Sequence, residues 1–368
     1  MADVSSVRVL AIASHVTSGY VGNTMATFCL QTLGCEVSAI HTVNYSNHVA
    51  YRRFKGRKST SEEVAELYAG LKETGLANFE VMLSGYCPSA SVVEEVGKIA
   101  RDVKLRANTR PGSFFWALDP VMGDNGRLYV PEETVPIYKG LIRDADLILP
   151  NQFEAELLSE VKIHDLTSIS EAITKLHQEY NVPHVIITSV RLSSDGSTAT
   201  SSQDSAQPVA TLSVVGSTAT TDFKPRLFQI TVPAFPIMFS GTGDMFAALV
   251  VARLRQTVDQ AGVLDQAQWR SPDEVAASDL PLARATEKAL ASMNAVLENT
   301  AAHYAAVAAS LESDPLMALP EDSPEEAIAT NNMQRHLRLT HAAEVRVVQN
   351  TEALRNPPHP EDFRAHSL

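Results

Sequence analysis

Short apolar runs alternate along the chain with longer segments in which apolar residues recur every three or four positions. The runs at 7–13, 36–43, 79–84, 114–118, 146–149 and 184–188 have the length of strands. Between them, 21–33, 61–74, 91–105, 152–158 and 168–179 have helical spacing; in 61–74, Val64, Leu67, Tyr68 and Leu71 share one face. Gly34 is a suitable stop for the first of these helices. Strands that are short, apolar throughout and separated by helices predict a mostly parallel sheet covered on both faces. Segment 244–255 predicts a buried helix, apolar nearly all round. Segment 282–311 predicts a long one, with Leu290, Met293, Leu297, Tyr304, Val307 and Leu311 in register.

The alternation stops after Val190. Residues 193–221 are dense in Ser, Thr, Ala and Gln and read as an insertion, with strand-like 210–215 and then 227–232 forming a hairpin. Residues 312–327 are acidic, carry Pro315, Pro320 and Pro324, and read as a linker. A closing edge strand is expected at 345–348 and a disordered tail after Asn356. The expected organisation is one α/β domain over 1–311, a linker and strand over 312–355 that complete it, and a tail over 356–368.

Composition narrows the function. With 368 residues, 45% hydrophobic and 20% charged, the chain can bury a large core without disulfide or metal support. A net charge of −13 argues against nucleic acid or an anionic membrane as partner. The first apolar run has no basic segment before it and no run has the length of a membrane span, so a soluble protein is expected. Three cysteines, Cys29, Cys35 and Cys87, read as reduced core thiols and an intracellular setting.

In an open parallel sheet, ligands bind beyond the carboxyl ends of the strands. Polar residues recur there: Ser14-His15, Tyr45 to His48, Gly85-Tyr86, Asp119-Pro120, Gly123-Asp124, Asn151 with Glu154, and Thr188-Ser189. The sharpest local signal is Gly241-Thr242-Gly243-Asp244, which opens a helix. Successive glycines and a helix N-terminus turn amide N–H groups toward an anion, and an aspartate there can take a proton from a hydroxyl. The plainer alternative is a turn whose aspartate caps its own helix. Asp119, Asp124 and Glu154 could hold magnesium or simply solvate loops. The basic stretch 51–58 (Arg52, Arg53, Lys55, Arg57, Lys58) reads as a solvated loop. His15, His41 and His48 fit no zinc spacing.

Taken in order, these segments resemble pyridoxal kinases, within the ribokinase-like superfamily. The resemblance runs through Ser14-His15-Val16, Gly19-Tyr20-Val21-Gly22-Asn23, Ser46-Asn47-His48, Gly85-Tyr86 and Asp119-Pro120-Val121-Met122-Gly123-Asp124. It continues through Tyr129-Val130-Pro131-Glu132, Pro150-Asn151-Gln152-Phe153-Glu154-Ala155-Glu156, Thr188-Ser189 and Gly241-Thr242-Gly243-Asp244, covering roughly residues 7–255. It implies a three-layer sandwich and phosphorylation of pyridoxal, pyridoxine or pyridoxamine by ATP. Ser14 would bond the pyridine ring; Val21, Val43, Tyr45, Val49 and Tyr86 would line its pocket. Asp119 and Glu154 would organise Mg²⁺ around the ATP phosphates, partly through water. Asp124 and Tyr129 would cover the phosphates, and Asn151, Thr188 and Ser189 would contact them. Gly241, Thr242 and Gly243 would form the anion hole, with Asp244 as base. A monovalent cation (K⁺ or Na⁺), a homodimer and a cytoplasmic location, with nuclear presence allowed, are implied too. The chain departs from many relatives at Val49 and Leu149, where threonine is common.

Overall fold

A computed structural model describes residues 7–107, 110–191, 211–314 and 323–368. Its strands and helices follow in order: β1 (Arg8–Val16), α1 (Gly22–Thr32), β2 (Glu36–Tyr45), β3 (Gly56–Lys58), α2 (Ser61–Glu73), β4 (Val81–Ser84), α3 (Ala90–Ala107) and β5 (Phe115–Leu118). A small hairpin, β6 (Gly123–Asp124) and β7 (Arg127–Leu128), leads to α4 (Thr134–Leu141), β8 (Leu147–Ile148), α5 (Gln152–Ser159), α6 (Leu166–Tyr180) and β9 (His184–Val190). The remainder comprises β10 (Thr211–Thr218), β11 (Leu227–Pro233), α7 (Thr242–Gln260), α8 (Pro281–Glu312), α9 (Glu325–Ala342), α10 (Thr351–Arg355) and β12 (His366–Ser367).

Ten strands form one sheet in the order β12-β11-β10-β9-β8-β5-β4-β1-β2-β3. The run from β9 to β2 is parallel; β10, β11 and β12 at one edge and β3 at the other are antiparallel. Successive strand residues feed opposite cores, as the pleat requires. Val9, Val81, Leu83, Phe115 and Ala117 pack with α1, α7 and α8. Leu10, Met82, Trp116 and Leu118 pack with α2 to α6. This is the expected sandwich with helices on both faces.

Three expectations need correction. Residues 345–348 form no strand: Val345 and Val347 are buried, and Val348–Asn350 is a turn of 3₁₀ helix. The strand that closes the sheet lies further on, where Phe228 and Gln229 of β11 pair with Ser367 and His366. The segment after Asn356 is therefore ordered, and Phe363 is buried in the core. The linker expected over 312–327 is helical at both ends, as α8 runs to Glu312 and α9 starts at Glu325. The Ser/Thr-rich tip at 192–210 lies outside the described residues, but the strands flanking it are part of the main sheet.

Candidate active site

Two helix starts meet beyond the carboxyl ends of the strands. Helix α1 begins at Gly22 with no side-chain cap of its own. Helix α7 begins after Gly241, which takes the left-handed backbone (φ +83°). Asp244 lies in the first turn of α7, yet its carboxylate does not cap that helix. Instead Oδ2 accepts the Gly22 N–H of α1 at 2.7 Å. The capping alternative is thus realised on the wrong helix for a purely local role. Oδ1 makes no hydrogen bond among the described residues. The first backbone bond of α7 is Met245 N–H to Gly241 O (2.9 Å), so the amides of Thr242, Gly243 and Asp244 precede the helical ladder.

The fit between these turns is tight and depends on glycine. A Cβ on Gly22 (φ +54°) would overlap the carbonyl and hydroxyl oxygens of Ser14, and one on Gly241 would overlap the Tyr20 carbonyl and touch Val21. Ser14 is aimed there by an irregularity in the β1–β2 register between Ala13 and Ser14.

Asp119 and Glu154 complete an acidic floor. Asp119 follows β5 and is 9% exposed; Glu154, in α5, is 2% exposed. Glu154 Oε1 accepts the N–H groups of Met122 (2.8 Å) and Gly123 (3.3 Å), and Oε2 accepts that of Asn151 (3.0 Å). Asn151 reciprocates by accepting Glu154 N–H at 2.9 Å, a capping box that fixes both side chains at the start of α5. A Cβ on Gly243 would stand 3.8 Å from Asp119 Oδ2, so the glycine turn faces this floor.

Electrostatics follow from this convergence. Burial, then the charges of Glu154 and Asp244, push Asp119 well above the ordinary carboxylate range. Burial lifts Glu154 to about 7 despite its three backbone donors. Burial lifts Asp244 to about 6, opposed by Gly22 N–H. No Lys or Arg side chain forms an ion pair with any of the three among the described residues. Among those residues no group of three His, Cys, Asp or Glu side chains could cage a metal alone. The donor set fits a Mg²⁺ that keeps water and phosphate ligands and takes one or two carboxylates.

For Glu154, a folded-state value above 4.5 means that protonation favours folding. That contribution is complete below 4.5 and is lost as pH rises through about 7. The melting temperature of the wild type relative to Glu154→Gln should therefore rise as pH falls from about 7.5 to 5. Mg·ATP should raise it more at the higher pH, where the carboxylates are ionised. Thermal melts at the two pH values check this; a pH-independent gap removes the argument.

Ser14, Val43, Tyr45 and Tyr86 lie at or just beyond the ends of neighbouring strands β1, β2 and β4, and Val21 precedes α1. Ser14 pairs with Val43 in the β1–β2 register. Thr42 Oγ1 donates to Tyr86 O (2.7 Å), and Tyr45 lies against Phe54 with ring centroids 4.8 Å apart. Val49 is at the surface, 61% exposed. A cavity of about 220 Å³ is lined by Gly243 and Thr242 together with Thr188 and Ser189. Its apolar wall, including Val214, Phe235, Phe239, Leu290 and Met293, was not anticipated from sequence. Asn151 and Thr188 pair as an isolated parallel bridge, which holds the ends of β8 and β9 together. Asp124 and Tyr129 lie in and just beyond the β6–β7 hairpin at the rim, Tyr129 being 60% exposed. A larger groove of about 820 Å³ near Arg270 and Asp273 contains none of the expected site residues.

The other sequence candidates resolve simply. Arg52, Arg53, Lys55, Arg57 and Lys58 are exposed. His15 and His41 stack at 4.2 Å, and their Nδ1 atoms pair with Thr24 (3.1 Å) and Asn23 (3.0 Å). All three cysteines are free, and burial pushes the Cys29 and Cys87 thiols up to about 12. Among the described residues no helix is long and apolar enough to cross a membrane.

Comparison with known proteins agrees with this fold. A family model described as phosphomethylpyrimidine kinase matches residues 105–269. A Schizosaccharomyces pombe protein provisionally named a pyridoxal kinase is 36% identical over 300 residues, spanning 82% of this chain and 87% of its own. Pyridoxal kinase of Homo sapiens is 39% identical over 254 residues, spanning 67% of this chain and 76% of its own. The solved structure of pyridoxal kinase from Leishmania donovani in complex with ADP matches with a TM-score of 0.72 at 28% identity, covering 98% of each chain.

Proposed function

The chain belongs to the pyridoxal kinases of the ribokinase-like superfamily, and from that membership we propose how its site performs the reaction. The protein is an ATP-dependent kinase of vitamin B6 vitamers, giving the 5′-phosphate and ADP. The observation that carries the mechanism is the divided carboxylate of Asp244, with one oxygen bound to Gly22 N–H and the other unbonded.

In the proposed reaction, Oδ1 of Asp244 accepts the proton of the vitamer 5′-hydroxymethyl. The alcohol oxygen bonds to the γ-phosphorus in line as the bond to the β-phosphate oxygen breaks, and ADP leaves. The amides of Gly241, Thr242 and Gly243 and the α7 dipole face the charge that spreads over the transferring group. Ser14 bonds the pyridine ring, with Val21, Val43, Tyr45 and Tyr86 around it and Val49 at the lip. Asn151, Thr188 and Ser189 hold phosphates, with Asp124 and Tyr129 over them, and the apolar cavity beyond Thr188 receives the base. Mg²⁺, held by Asp119 and Glu154, supplies charge neutralisation when bound. A monovalent cation is proposed nearby, weakened by the buried Leu149. A homodimer in the cytoplasm is the proposed state of the protein, with the described residues through β12 acting as one kinase domain.

Incubating purified protein with Mg·ATP and pyridoxal should yield pyridoxal 5′-phosphate. A second reading, phosphorylation of a hydroxymethylpyrimidine, is favoured only by the family model over 105–269. A higher kcat/KM on the pyrimidine than on any B6 vitamer would select it.

A pH prediction follows from Asp244. As base it must be ionised, so kcat/KM for pyridoxal should rise with pH and level off above about 6, falling tenfold per unit below. A profile at saturating Mg·ATP that is flat across this range would remove Asp244 as the titrating group.

A further inference from the structure

We infer that Glu344 is a positioning residue that locks the vitamer side of the site from the C-terminal part of the chain. This rests on the kinase reading above and assigns a new part of that same site.

Glu344 follows α9 and reaches two segments that are remote from it in sequence. Its Oε1 accepts hydrogen bonds from His48 Nε2 (2.9 Å) and the Tyr51 hydroxyl (3.0 Å), and its Oε2 accepts Tyr20 N–H (3.3 Å). His48 and Tyr51 belong to the loop after β2, which carries Val49. Tyr20 belongs to the turn after β1, which carries Val21 and whose Tyr20 carbonyl rests on Gly241. The carboxylate thus ties the turn that carries Val21 to the loop that follows Tyr45, the two segments that flank the ring in the proposed reaction. It fits closely: a Cβ on Gly19 would stand 2.7 Å from Oε1. A second contact, from α9 itself, runs from His336 Nε2 to Ala50 O at 2.9 Å and ties that helix to the loop independently.

The chemistry suits a permanent clamp. Burial opposes the Glu344 charge, but the bonds from His48, Tyr51 and Tyr20 outweigh it and hold the carboxyl below its ordinary range. Burial and that charge push the Tyr51 phenol up, so it stays a donor at physiological pH. One ionised acceptor with three donors from two loops is a stronger tie than three neutral bonds. Glu344 acts by fixing the turn and the loop that flank the proposed vitamer site.

The test is steady-state kinetics on the full chain, varying pyridoxal and Mg·ATP separately, with thermal melts alongside. Glu344→Ala should raise KM for pyridoxal about tenfold and leave KM for ATP within about twofold. Tyr51→Phe, which keeps the ring and removes one hydroxyl, should raise it about threefold, and adding it to Glu344→Ala should have no further effect. Glu344→Gln, which keeps the shape, should fall between wild type and alanine. Equal changes in both KM values, or a change in melting temperature alone, overturn the inference. If Glu344→Ala does not fold, the KM ratio of Tyr51→Phe decides by the same criterion. Wild-type protein inert toward pyridoxal would instead overturn the kinase reading itself.

Discussion

Asp244→Asn should fold, bind ATP and turn over pyridoxal about 10²–10⁴-fold more slowly, the range a positioned base contributes. Asparagine keeps the shape, and its amide oxygen can still accept Gly22 N–H in place of Oδ2. What it loses is the second oxygen with a free lone pair for the alcohol proton. Folding should not suffer. Burial disfavours the aspartate charge and raises its carboxyl to about 6, so the carboxylate costs stability above that pH. At pH near 7.5 the variant should melt at or above the wild-type temperature. Product formation, nucleotide titration and a melt separate these effects. Near-normal turnover would leave the proton without its assigned acceptor.

Gly22→Ala should be nearly as damaging, by another route. Left-handed backbone costs an alanine about 1–2 kcal/mol. At Gly22 the new methyl would also collide with Ser14, which cannot retreat because it is strand backbone. Relief requires α1 to shift away from Ser14, which breaks the Gly22–Asp244 bond. A loss in kcat/KM of about 100-fold or more is expected, with a lower melting temperature. Gly34→Ala is the control. Gly34 has φ +88° but open space around it, so it should pay only the backbone cost and keep full activity. Equal activity losses in the two variants would show that backbone strain, and not the active-site contact, is responsible. Gly243→Ala differs from both, since its methyl would meet only Asp119 at an ordinary 3.8 Å. Its stability should hold, and any loss of turnover reports on the phosphate.

The sheet was legible because its parallel strands are buried on both faces, which leaves uninterrupted apolar runs such as 184–188. The glycine turn was legible because local geometry constrains it. What Asp244 bonds to was not, since its partner amide is 222 residues away. The apolar cavity was equally hidden, as it is assembled from β10, β11 and α8. Helix α9 escaped because its apolar periodicity is weak and the prolines that precede it suggested a linker. Yet Pro324 followed by Glu325 and Glu326 is a helix-start pattern that could have been read. Val345 and Val347 gave a strand-like alternation, but they are buried without pairing. Glu344 carried no local mark at all, because its three donors come from the first sixth of the chain.

The bond between Gly22 and Asp244 also bears on synthesis. On the ribosome, α1 emerges long before α7, and its first amide has no carboxylate to meet. The apolar face of α1, with Met25, Cys29 and Leu30, likewise waits for the α7 residues it will pack against. A nascent chain halted before residue 244 therefore exposes an unfinished layer and is a natural client for chaperones. On the proposed mechanism, catalytic competence arrives only once Asp244 has been added and α7 has packed on α1.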